Sequence, residues 1–200
     1  MRTLVINALN LGEHHRYWLD HFRLRREIFV DRLGWNLPGS DDAGSDMEFD
    51  SFDTPATHYV LAIDDADKVC AVSRLVPTTV PYMIQTLWPD WPQQGCPNDA
   101  RIWEASRFGC AATLSHADRQ AAIRALYAEI YRFGQRNNID HYLMVMPRFI
   151  FERLIRPNGY QVDYVGETRK FDGVSTCLGK VTVHPETATD ASAEPLRAHG

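Results

Sequence analysis

A chain of 200 residues with 44% hydrophobic content can bury one sizeable core, which predicts a single domain. Its 26 acidic residues outweigh the 21 basic ones for a formal charge of −5, which argues against general nucleic-acid binding and leaves room only for a local basic patch. Cys70, Cys96, Cys110 and Cys177 are widely spaced with no CxxC pair, so they read as buried free thiols in a reducing cytosol rather than as a zinc site.

Residues 3–9 predict a first strand, and 14–33 predict a helix with an inner stripe of Trp18, Phe22, Arg25, Phe29 and Leu33. The opening residues lack the uninterrupted apolar core of a signal peptide, and no apolar run approaches the roughly 18 residues of a membrane span. Those two features predict a soluble cytoplasmic chain that does not engage the membrane. Residues 34–46 are a loop by their Gly, Pro, Ser and Asp content. Strands over 57–64 and 68–76 form a hairpin about Asp64–Asp67, and 81–92 holds one or two helical turns. A strand follows at 101–109. Ser115 has the position of an N-cap, with Asp118 three residues on, and opens a helix to about residue 137. Ala122, Leu126, Ile130 and Phe133 form its inner face. A strand at 141–147 leads into a helix at 148–156, with Pro147 before it and Gly159 beyond it. Late strands fall near 160–166 and 174–183, and residues 185–200 read as a disordered tail behind a 1–184 domain. Strands interleaved with three helices predict an α/β three-layer sandwich around a mixed central sheet.

Three arginines break their local patterns. Arg25 lies between Phe22 and Phe29 in the helical stripe. Strict alternation puts Arg74 on a strand face with Cys70, Val72 and Val76, and Arg107 on one with Trp103 and Ala105. The opposite face of that last strand carries Ile102, Glu104, Ser106 and Phe108. An isolated buried charge costs several kcal/mol or more, so these cations need partners. Glu104, Asp50 and Asp53 are the carboxylates at similarly ordered positions. A polar cluster drawn from a helix, a loop and two strands is either an ion-pair network that orients loops or a functional cleft, and such convergence favours the cleft.

The segments RLRREIFVDRLGW (23–35), EFDSFDTPATHYVLA (48–62), SRLVPTTVPYM (73–83) and WEASRFG (103–109) resemble, in order and spacing, the acyl-homoserine lactone synthases of the LuxI type. The resemblance places the family's invariant positions on Arg25, Phe29, Trp35, Asp50, Asp53, Arg74, Glu104 and Arg107, which include every misplaced charge. It implies a fold similar to the GCN5-type N-acetyltransferases. It also implies S-adenosylmethionine and an acyl thioester, on acyl-carrier protein or CoA, as substrates, with no cofactor or metal. The product would be a diffusible quorum-sensing lactone.

Under that resemblance Glu104 is the first candidate for general base, and Arg107, Asp50 and Asp53 join it in the chemical step. Arg25, Phe29, Trp35, Asp50, Asp53 and Arg107 would bind S-adenosylmethionine, although either arginine could instead brace the acidic loop. Arg74 is assigned to the charge network. Backbone amides near 105–107 or 144–147 would meet the thioester oxyanion. Trp88, where relatives usually carry Phe, would line the acyl pocket with Ser106, Met144 and Met146. The methionines are apolar and adaptable, so the expectation is a preference for an unsubstituted acyl chain over its 3-oxo analogue. Arg148, Arg153 and Arg156, with Arg169 and Lys170 nearby, would dock an acidic carrier. Two rivals remain. One is an acetyl-CoA-dependent N-acetyltransferase, although residues 107–118 lack that family's glycine spacing after the strand. The other is a non-catalytic binding module on the same fold.

Overall fold

Alternation along the strands and the apolar stripes of two helices decide the layering. The computed structural model describes residues 1–35 and 45–183; the predicted tail and most of the 34–46 loop lie outside the described residues. The strands are β1 (Arg2–Ile6), β2 (His58–Ile63), β3 (Val69–Pro77), β4 (Ile102–Cys110), β5 (His141–Pro147), β6 (Val162–Tyr164), β7 (Arg169–Phe171) and β8 (Val174–Thr182). They form one sheet in the order β1-β2-β3-β4-β5-β8-β6, with β7 beside β8. β4 and β5 are its parallel pair and the other pairings are antiparallel, so the sheet is mixed as predicted.

α1 (His15–Arg25) covers one face, where Phe22, Leu24, Ile28 and Phe29 pack with Leu61 and Val72. Beyond it, residues Arg26–Arg32 form wider turns in which the Leu33 amide bonds to the Ile28 carbonyl five residues back. Leu33, which helical spacing puts in the buried stripe, is instead half exposed past that turn. α3 (His116–Arg136) covers the other face. Its Ala122, Leu126, Ile130 and Phe133 are buried against Val60, Leu75, Ala105 and Met144. The Ser115 side chain caps it by accepting from the Asp118 amide at 3.2 Å.

α2 (Met83–Leu87) is the short helix within 81–92, and α4 (Arg148–Ile150) continues as irregular turns over Phe151–Ile155 and Arg156–Asn158. Gly159 ends that run at φ +86°, a left-handed backbone that glycine adopts without penalty. β7 is an addition to the predicted set. It reaches β8 through Asp172 and Gly173, both at positive φ, as a tight hairpin requires.

One irregularity matters for function. β4 and β5 pair only at Ile102–His141, Trp103–Tyr142 and Glu104–Leu143, although β4 continues to Cys110 and β5 to Pro147. Beyond Glu104 the two parallel strands splay and no longer pair, which interrupts the sheet at its middle.

Candidate active site

The site is assembled where β4 breaks its own alternation. The β3–β4 register passes from Val72–Gly109 to Arg74–Ser106, so β4 carries one extra residue there. Arg107 takes up the slack at φ +53°, a strained conformation for a side chain of its size. Such strain costs on the order of 1–3 kcal/mol and persists only where neighbours over-determine it. Here Arg107 donates to Glu48 at 2.9 Å and to Asp50 at 2.6 Å, on the same side as Glu104 and Ser106. Phe108 goes to the α3 side and stacks on Tyr127 with centroids 4.4 Å apart. The faces that strict alternation assigns to Arg107 and Phe108 are therefore exchanged. Cys70 likewise joins the α3-side core rather than sharing a face with Arg74.

Arg25, from the last turn of α1, donates through Nε to Glu48 at 2.6 Å and through both terminal nitrogens to Asp53 at 2.7 and 3.0 Å. Arg74, from β3, donates to Asp50, to Asp53 at 3.2 Å and to Ser106 Oγ at 3.2 Å. Asp53 also accepts the Tyr59 hydroxyl at 2.8 Å and the Asp50 amide at 2.8 Å. The side chains of Arg25, Arg74, Arg107, Glu48, Asp50 and Asp53 are all at most 5% exposed. Burial alone would push Asp53 upward, but Arg25 and Arg74 outweigh it and hold its carboxyl well below the usual range. Glu48 is likewise held down by Arg25 and Arg107 against the effect of burial. Three guanidinium groups thus face three carboxylates, as buried cations require.

Glu48 and Tyr59 are the members that sequence reasoning passes over. Glu48 lies inside the acidic motif two residues before Asp50, and that clustering was the available signal. Nothing in the pattern around Tyr59 distinguishes it from an ordinary strand aromatic.

Glu104 stands beside this network rather than within it. It is completely buried, its Oε2 accepts the Ile84 amide at 2.7 Å, and its Oε1 has no protein partner. Burial raises its pKa, against the pull of nearby Arg74. Arg74 itself keeps Nη2 without a partner. A buried acceptor and a buried donor are thus left uncommitted in one neighbourhood, which is unusual in a folded protein. Met83 closes the same region, with its sulfur 3.4 Å from Arg107 Nη1.

The remaining predicted residues separate by face. Phe29 and Trp35 meet as tilted rings 5.0 Å apart, with the Arg107 guanidinium 5.5 and 5.8 Å from their rings, and Trp35 is 42% exposed. Trp88 packs with Trp91 and Phe171 in the core that contains Val76, Ile84, Leu143 and Val145. Met144 and Met146 belong to the α3-side core. The four predicted acyl-pocket residues are therefore not one wall: Ser106 and Trp88 lie on the Glu104 side, and the two methionines lie across the sheet. A recess opens on the methionine side, lined by Met144 with Tyr127, Ile130, Tyr142 and Tyr160 among others. Arg148, Arg153 and Arg156 are exposed along α4 and the turns that continue it, where Arg148 and Arg156 share Glu152 at 3.9 and 3.8 Å. Arg169 is tied to Asp90 at 2.8 Å.

The family model for autoinducer synthases matches residues 9–190. An acyl-homoserine-lactone synthase of Ralstonia nicotianae is 30% identical over 179 residues, which span 86% of this chain and 84% of that one. Among solved structures, TofI in a ternary complex with an inhibitor and MTA is 29% identical with a TM-score of 0.75, over 92% of each chain. The CoA-dependent acyl-homoserine lactone synthase BjaI, solved with SAM and isopentyl-CoA, is 28% identical with a TM-score of 0.78, over 92% of this chain and 83% of that one. A putative N-acetyltransferase from Lactobacillus plantarum shares the fold alone, with a TM-score of 0.55 at 17% identity over 92% of this chain and 100% of that one. Taken with the charge set and the splayed parallel pair, these matches show that the chain belongs to the autoinducer synthase family.

Proposed function

We propose that the chain makes an N-acyl-homoserine lactone from S-adenosylmethionine and an acyl thioester, with methylthioadenosine as the second product. The observation that carries the reading is Glu104, a buried carboxylate with an uncommitted oxygen at the point where β4 and β5 begin to splay.

The splay fits a thioester laid between the strands, with its carbonyl near Glu104 and backbone amides of 105–107 or 144–147 available to the oxyanion. The α-ammonium of S-adenosylmethionine has a free pKa of about 8 and must lose a proton before it attacks. Glu104, whose pKa burial raises, accepts that proton in its ionised form, directly or through one water. The amine then attacks the thioester carbon. The carrier thiolate leaves and takes up the second nitrogen proton as the amide forms. In the second step the methionyl carboxylate attacks its own γ-carbon and breaks the bond to the sulfonium sulfur. The lactone closes and neutral methylthioadenosine departs.

Arg25 uses all three guanidinium nitrogens on Glu48 and Asp53, which supports the bracing role over direct contact with substrate. Arg74, through its uncommitted Nη2, is the better placed cation for the substrate carboxylate, in addition to its part in the network. Asp50, Asp53 and Arg107 shape the wall behind. Trp35, exposed above Phe29 and Arg107, offers the face for adenine or sulfonium.

The acyl tail passes through the splay into the recess beside Met144, with Met146 at its entrance. Arg148 follows β5 directly and Arg153 pairs with no carboxylate among the described residues, so the α4 row with Arg156 supports docking of an acidic carrier. No helix among the described residues is long and apolar enough to cross a membrane. The substrates are cytoplasmic metabolites, so the enzyme works in the cytoplasm.

The test is to incubate the purified protein with S-adenosylmethionine and a panel of acyl-carrier and acyl-CoA donors, with mass spectrometry of the products. Lactone and methylthioadenosine should appear together. If neither appears with any donor, the reading falls.

A further inference from the structure

Four tyrosines line the recess on the α3 side, and their hydroxyls are not equally occupied. Tyr142 donates to the Ile130 carbonyl at 2.9 Å. Tyr127 is only 7% exposed, yet its hydroxyl finds nothing better than the Met146 sulfur at 4.0 Å. A thioether at that distance is a weak acceptor, and buried phenol hydroxyls normally find a true partner. Burial also presses the phenol toward its neutral, donating form.

Its place in the fold suggests what that partner is. The Tyr127 ring stacks on Phe108 of β4, while its hydroxyl reaches toward Met146 of β5. Both strand positions lie beyond Glu104–Leu143, where pairing stops. Tyr127 therefore bridges the splay on the α3 side. A thioester held near Glu104 sends its first carbons through that gap before the tail reaches Met144. In a chain oxygenated at its third carbon, that oxygen is the first polar atom past the thioester.

We infer that Tyr127 is a specificity-determining residue that donates a hydrogen bond to a 3-oxo or 3-hydroxy oxygen of the acyl chain. The inference rests on the proposed lactone synthesis and goes beyond it by naming the chemical class of acyl group. It reverses the order expected from the methionines alone, because the donor comes from α3 and not from β5.

The experiment is a competition between 3-oxo, 3-hydroxy and unsubstituted donors of one chain length, with the lactones separated by mass. The wild-type protein should favour both oxygenated chains by about 3- to 10-fold in kcat/KM, the equivalent of one neutral hydrogen bond. Tyr127→Phe keeps the ring and its stacking, and should bring the ratio close to one. Absence of a wild-type preference overturns the inference without any variant. So does a ratio that Tyr127→Phe leaves intact, or an equal fall for every donor, which would mean that the hydroxyl serves the reaction or the packing. Failure to release methylthioadenosine with any donor would instead overturn the lactone synthesis, and the inference with it.

Discussion

Replacing Asp53 with Asn isolates the worth of a single charge, because the shape of the side chain is kept. The carboxylate accepts from Arg25 twice, from Arg74, from Tyr59 and from the Asp50 amide. An amide can keep one oxygen in place, but its NH₂ then faces the donors of Arg25 or the Asp50 N–H. Two unit charges about 4 Å apart attract by roughly 4 kcal/mol at an effective dielectric of about 20. Loss of the attraction to Arg25 and Arg74 therefore removes several kcal/mol, and relief of repulsion from Asp50 and Glu48 returns part of it. The net should be about 3–5 kcal/mol, the usual cost of leaving a buried cation without its partner. No discount for solvent applies, since the Asp53 side chain is 5% exposed and that of Arg25 is 0% exposed. Urea denaturation at neutral pH measures the stability loss, and methylthioadenosine release measures the accompanying loss of activity. A folded Asp53→Asn protein within about 1 kcal/mol of wild type and with full turnover would refute the view that this network is charge-balanced.

Two further predictions concern single titratable groups. Glu104→Gln should keep the fold but lower lactone formation by roughly 100-fold or more, since an amide cannot take the proton. The acid limb of the wild-type rate profile should lie above the ordinary glutamate value of 4.5, because burial raises this carboxyl and only its ionised form is a base. A loss of only a few-fold at every pH would reduce Glu104 to a brace. His21 is wholly buried among Trp18, Phe22 and Tyr59 with neither ring nitrogen bonded, and burial pushes its pKa from 6.5 down to about 3. The unfolded chain then binds a proton that the folded chain refuses, so stability falls as pH drops below 6.5, by up to about 1.4 kcal/mol per unit. His21→Phe should flatten the fall between about pH 6.5 and 5 in urea titrations, leaving the smaller shares of His58 and His141. Equal slopes in the two proteins would remove His21 as the cause.

The layering, seven of the eight strands and α3 are legible in the sequence because they follow simple periods, apolar alternation in the strands and helical spacing in α3. β7 is too short for a periodic signal, although Asp172-Gly173 marks its turn. The misplaced arginines are legible for a different reason, since a charge among apolar neighbours has no inexpensive explanation. What alternation cannot show is its own interruption. The bulge at Arg107 exchanges two side chains between faces, and nothing in residues 105–109 announces a left-handed arginine. For the same reason the acyl-pocket residues appear together on paper, while Met144 and Met146 lie across the sheet from Ser106.

The bulge also explains how one cluster can be both brace and reaction centre. Glu48, Asp50 and Asp53 come from a segment without regular secondary structure, whereas Arg25, Arg74 and Arg107 project from a helix and two strands. Alternation alone would have sent Arg107 to the α3 side and left Asp50 and Glu48 short of a cation. One extra residue in β4 turns it back, at a cost of a few kcal/mol that its bonds to both carboxylates offset. The acidic segment is then pinned to the sheet by satisfied pairs. On the proposed reading, reactivity is left to two atoms the brace does not use, Glu104 Oε1 and Arg74 Nη2. Damage to the brace should therefore appear first as lost stability, and damage to Glu104 first as lost rate.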